Sequence, residues 1–182
     1  MKNKIFAYLV LCCGLLMFGC GTEFPASADF AEDRLSSSSK KVNGATQVDG
    51  IGYFDAADDC GSGSQGATFA VSMTGDLEGC LFVFVEEFKC NSSGAYYEKG
   101  SELFVGTYKG EFGTFRTTYV FTAKYEGCAE DGSYLGLEIF GRCQHPIVKG
   151  SGDGVFTGVS GRLDMKDDIE EANYPYRGHL KF

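Results

Sequence analysis

The sequence predicts an all-β chain: an eight-stranded antiparallel up-and-down barrel, with a β-sandwich as the fallback. Three observations carry this. Gly is abundant at 26 residues, while Pro numbers only 3. Phe and Tyr, at 16 and 10, supply side chains that suit pleated surfaces, and Trp is absent. Downstream of a polar stretch, apolar residues recur at strand period between short glycine-bearing connections. That body of about 140 residues suits one domain with one core.

The strands are taken in order. A first, weakly alternating strand covers Thr46–Phe54. The second, Ala67–Thr74, sets Phe69, Val71 and Met73 on one face and Thr68, Ala70 and Ser72 on the other. Gly75–Gly79 turns the chain into a third strand, Cys80–Lys89, almost wholly apolar through Val85. Asn91-Ser92-Ser93-Gly94 begins a loop, and the fourth strand is Glu102–Lys109. Gly110–Gly113 is a tight turn into the fifth strand, Thr114–Tyr125. There Phe115, Tyr119, Phe121 and Tyr125 oppose Arg116, Thr118, Thr122 and Lys124. After Gly127–Ser133 comes the sixth strand, Tyr134–Cys143, then a glycine-rich crossing, Gly150–Gly161. The seventh is Arg162–Asp168, and the last is Tyr176–Phe182, with Arg177, His179 and Lys181 facing outward. Closing eight such strands into a barrel removes exposed sheet edges.

The turns "TGDLEG" (Thr74–Gly79), "GEFGTF" (Gly110–Phe115) and "GSGDGVFTGVSGRLD" (Gly150–Asp164) resemble those of a bacterial family of small barrels. That family is similar in fold to plant allene oxide cyclase and the dirigent proteins. The resemblance spans residues 45–182 and rests on glycine motifs, so it implies fold far more than activity. It implies an antiparallel eight-stranded barrel with an apolar lumen, and it transfers no catalytic residue onto this chain.

The N-terminal segment reads as an export signal. Lys2 and Lys4 precede an apolar run, Ile5–Phe18, that is too short for a membrane span, which needs about 20 residues. Met17-Phe18-Gly19-Cys20 resembles a bacterial lipoprotein signal, in which the cysteine is lipidated and becomes the mature N-terminus. An ordinary secretory peptide cleaved nearby is the alternative. The expected organisation is a signal over 1–19, lipidated Cys20 with a flexible tether over 20–43, and the barrel over 44–182. The expected place is the cell envelope, anchored to membrane through Cys20. Gly21 and Thr22 carry no retaining aspartate, which points to an outer membrane where the cell has one.

Five cysteines remain in the body: Cys60, Cys80, Cys90, Cys128 and Cys143. An exported chain can form disulfides. Cys80 and Cys90 end one strand, about 33 Å apart, so they do not pair. The sixth strand separates Cys128 from Cys143 in the same way. Sorting by barrel end predicts Cys80–Cys143 and Cys90–Cys128, with Cys60 free; five reduced and buried thiols are the alternative.

Candidate chemistry is sparse. The formal charge of −9 repels phosphate backbones and argues against nucleic acid as a partner. His145, in "RCQHP", reads as a rim residue, and His179 as a surface one. Glu138 and Arg142 share a face of the sixth strand by alternation. Leu135, Leu137 and Ile139 make the better apolar face, so the pair reads as an outward ion pair; the alternative is a lumenal pair that orients a ligand, which with His145 makes these the candidate ligand or rim residues. The acidic run Asp164, Asp167, Asp168, Glu170 and Glu171 lacks ordered calcium-loop spacing. "GSGDG" lacks the ending of a phosphate loop, and no catalytic triad order or zinc motif appears. No metal or cofactor is expected. The leading expectation is a lipid-anchored, non-catalytic barrel that binds a small apolar ligand or an envelope partner. The competing ones are an isomerase or cyclase acting in the lumen, and a structural barrel with a filled lumen.

Overall fold

The computed structural model describes residues 44–182, so the signal, Cys20 and the tether lie outside the described residues. The strands are β1 (Thr46–Phe54), β2 (Phe69–Gly75), β3 (Leu77–Cys90), β4 (Ala95–Tyr108), β5 (Glu111–Cys128), β6 (Tyr134–Pro146), β7 (Asp153–Gly154), β8 (Ser160–Lys166) and β9 (Tyr174–Lys181). Antiparallel pairing runs β1-β2-β3-β4-β5-β6-β8-β9 and back to β1. The sheet is a closed eight-stranded barrel, as the sequence predicts. β7 is an extra piece that pairs with β5 at Gly113 and Thr114.

Several boundaries move. β4 begins at Ala95, seven residues before the expected Glu102, because polar residues of its first half face inward rather than forming a loop. The β4–β5 turn is Lys109-Gly110, not Gly110–Gly113. Both residues have positive φ, 55° and 79°, as a two-residue mirror-image hairpin turn requires.

One end of the barrel is solidly packed. Phe104 and Phe115, opposite one another on β4 and β5, stack at 5.0 Å. Phe156, in the segment between β6 and β8, meets both edge-on at 5.7 and 4.9 Å. All three are fully buried, with Leu77, Leu163 and Leu180 around them. The "GSGDGVFTGVSG" segment is therefore a plug as well as a crossing. Its entry is tight: a Cβ on Gly113 would lie 2.9 Å from the Phe156 ring and collide with the Asp153 carbonyl.

The disulfides correct part of the sequence reading. Cys90–Cys128 is present, with Cα atoms 5.5 Å apart, and ties the ends of β3 and β5 at the other end of the barrel. Cys80–Cys143 does not form. Cys80 pairs with Cys60, and Cys143 is free and buried. Two facts explain this. Leu77, Leu81 and Val83 point into the core, so Cys80 faces outward, whereas Cys143 belongs to the core. The connection between β1 and β2 also brings Cys60 beside the outer wall rather than staying at the barrel end. Ala70 and Phe82, on the outer face there, are buried with it.

Candidate functional site

The end tied by Cys90–Cys128 is hollow. A cavity of about 460 Å³ opens among the ends of β1, β5 and β8 and the starts of β4, β6 and β9. One wall is apolar, with Phe69, Val71, Leu81, Val83 and Met165. The volume lies within the usual range for small-molecule sites.

β4 reads upward from the plug as Phe104, Glu102, Gly100, Glu98 and Tyr96, all inward by alternation. Glu102, Thr117 and His145, from β4, β5 and β6, form the floor over Phe104 and Phe115. Glu102 and His145 are only 2% and 3% exposed. The Thr117 hydroxyl donates to Glu102 Oε2, which also lies 2.7 Å from His145 Nδ1. With Glu102 Oε2 as the acceptor, Nδ1 is the ring nitrogen that donates to it. Nε2 is buried and has no partner among the described residues. The Tyr119 ring stacks on the imidazole at 6.3 Å, fixing its plane.

Above the floor, Glu98 accepts from Tyr96 at 2.6 Å and Tyr119 at 2.8 Å. Burial, then the bond to Glu98, raises both phenols above their usual range, so they stay protonated donors. Tyr125 donates to Glu138 Oε2 at 3.2 Å and is raised by burial, then by the Glu138 charge. Tyr125 and Tyr134 stack at 4.1 Å near the mouth, with Tyr96 edge-on to both. Burial pushes the Cys143 thiol up, with Glu102 and Asp167 adding to it. It is an inert neutral thiol rather than a nucleophile.

The second carboxylate pair is Glu138 with Asp167, from β6 and the end of β8. They meet over the bare face of Gly141. A Cβ there would collide with Glu138 Oε1 and lie 2.6 Å from Asp167 Oδ2. Burial, then the hydrogen bond and charge of Glu138, pushes Asp167 up to about 8. The pair shares a proton at neutral pH.

The candidates named from sequence divide. Glu138 is inside, but Arg142 is on the outer face and exposed. Leu135, Leu137 and Ile139 are exposed, at 52%, 73% and 55%; of the three, Leu137 borders the cavity mouth and the other two do not line it. A bulge causes both corrections. β6 takes two steps, Phe140 to Glu138, while β5 takes one, Lys124 to Tyr125, which reverses the alternation at Ile139. His145 is in the cavity floor rather than on the rim, because β6 continues to Pro146. His179 faces outward. The acidic run is split: Asp164 pairs with Arg162 at 2.9 Å, and Asp167 enters the cavity. Glu98, Glu102, Thr117 and Tyr96 were not singled out from sequence. Continuing the even-numbered face of Phe104 and Tyr108 back along the chain reaches Glu98, Glu102 and Tyr96.

Comparison of the chain with protein families, with curated proteins and with solved structures found no match in any of the three.

Proposed function

We propose that this protein is an envelope lipoprotein, anchored through Cys20, whose barrel holds a small molecule with an apolar body. A place among the allene oxide cyclase and dirigent-like barrels is part of the same proposal, supported by the barrel and the glycine turns. The observation that carries the binding role is the half-filled lumen. One end is sealed by Phe156, while the other keeps a cavity of about 460 Å³ walled by aliphatic and aromatic side chains.

A second role, catalysis on the bound molecule, is favoured by one specific observation. Glu102 orients His145 and leaves Nε2 unpartnered in the cavity floor, the arrangement of a general base. The Glu138–Asp167 pair holds a proton in the same cavity, as a general acid must. Together they suit an isomerisation by proton transfer.

Native mass spectrometry of full-length protein from the membrane fraction tests these roles. The expected result is a retained small molecule, lost in Val83→Phe, which places a ring in the cavity. Bare wild-type protein overturns the binding role. Returning the released molecule to protein separates the two. An unchanged chromatogram favours binding alone, and conversion to an isomer that His145→Gln abolishes favours catalysis.

A further inference from the structure

The polar groups of the cavity are unbalanced. Among the described residues no lysine or arginine lines it, while Glu98, Glu102, Glu138 and Asp167 all do. The three buried tyrosine hydroxyls, of Tyr96, Tyr119 and Tyr125, already donate to these carboxylates. Glu98 and Glu102 are thereby each served by two donors. The Glu138–Asp167 pair is left with one shared proton and no fixed donor: Glu138 Oε1 has no other partner among the described residues, and neither has Nε2 of His145, a side chain almost wholly buried on the same cavity. A buried carboxylate charge with no counter-charge beside it is costly, so the missing occupant is a donor.

We propose that the ligand carries an organic ammonium head on an apolar body, the head seated against Glu138 and Asp167 and the body along the aliphatic wall. This rests on the lumenal binding role. An ammonium offers three donors and no acceptor, and its charge answers two adjoining carboxyl groups. The faces of Tyr96, Tyr125 and Tyr134 around the mouth add cation–π attraction. A carboxylate-headed lipid meets repulsion, and a purely apolar one leaves the carboxyl pair without a counter-charge. Binding also displaces the proton shared by the pair. The groups facing that pair are Tyr125 from β5, Cys143 and Tyr134 from β6, and Tyr174 from β9. Burial raises Tyr125, Cys143 and Tyr174 and keeps them neutral at pH 7, so the released proton is the pair's own.

Calorimetry on the full chain at pH 7 with three probes tests this: 3-phenylpropylamine, 3-phenyl-1-propanol and 3-phenylpropionate. Two buffers of different ionisation enthalpy count protons. The expected order is amine at least about tenfold tighter than alcohol, propionate weakest, with up to one proton released per amine. Glu138→Gln/Asp167→Asn keeps alcohol binding and loses the amine preference. Glu138→Gln alone reduces that preference, and serves if the double variant fails to fold. Equal amine and alcohol affinities, or a preference that survives in a folded variant, overturn the ammonium head and leave lumenal binding standing. Failure of all three probes to bind overturns both.

Discussion

The two ends of this barrel use the same strands for opposite purposes. On β4, Phe104 and Tyr108 lie toward one end, and Glu102, Glu98 and Tyr96 toward the other. On β5, Phe115 is replaced two residues on by Thr117 and then by Tyr119. The sealed end excludes water with interlocking rings and has little polar chemistry to satisfy. The open end keeps carboxyl groups that need partners, and Tyr96, Tyr119 and Tyr125 are spent on them. Packing closes the first end; a disulfide holds the rim of the second. A barrel of this size is just wide enough for its side chains to fill, so the plug decides how much lumen is left.

Removing the plug is the strongest way to break that contrast. Phe156→Ala leaves a void against Phe104 and Phe115 and is expected to cost about 3–5 kcal/mol by denaturant unfolding. Its effect on ligand retention should be small, since the Glu102–Thr117–His145 floor stands between plug and cavity. The rim is the next test. Cys90→Ala/Cys128→Ala removes a bridge spanning 38 residues and is expected to cost about 2–4 kcal/mol. The two variants should differ in where amides lose hydrogen-exchange protection: near Phe104 and Phe115 for the first, near Tyr96 and Tyr125 for the second. Equal loss at both ends in each variant would mean that the barrel opens only as one unit.

Strand period and turn chemistry are local, and they made the barrel legible. The eight ring strands, the odd-numbered face of Phe115, Tyr119 and Tyr125, and the outward His179 all follow from alternation. What local pattern conceals is of two kinds. A bulge at Ile139 reverses alternation, and no residue type announces it, so Glu138 and Arg142 part company and three aliphatic residues end up exposed. A connection that folds along the outer wall brings Cys60 to Cys80, a pairing that strand parity alone forbids. The site was missed for a further reason. Lumenal Glu98 looks like a loop residue, and Glu102 like a solvated strand end, until their partners on β5 and β6 are known, because a charge inside a barrel is tolerated only when neighbouring strands satisfy it.

The open end also differs from the sealed one in its response to pH, and here the expected effect is smallest. In the unfolded chain Asp167 loses its proton near its ordinary 3.8, whereas in the fold it keeps it to about 8. Between those values the native state binds more protons than the unfolded state. Stability therefore falls as pH rises from about 4 to about 8. Asp167→Asn is neutral at every pH and its amide can donate to Glu138. The variant should match wild type near pH 4 and exceed it by about 1–2 kcal/mol at pH 8.5, a discount on the full linkage because the mouth admits solvent. Urea unfolding across that range measures it. Phe156→Ala, acting in the apolar plug, should shift the whole curve down and leave its slope alone. If Asp167→Asn instead keeps the wild-type slope, the pair over Gly141 does not hold a proton, and the acid half of the catalytic role goes with it.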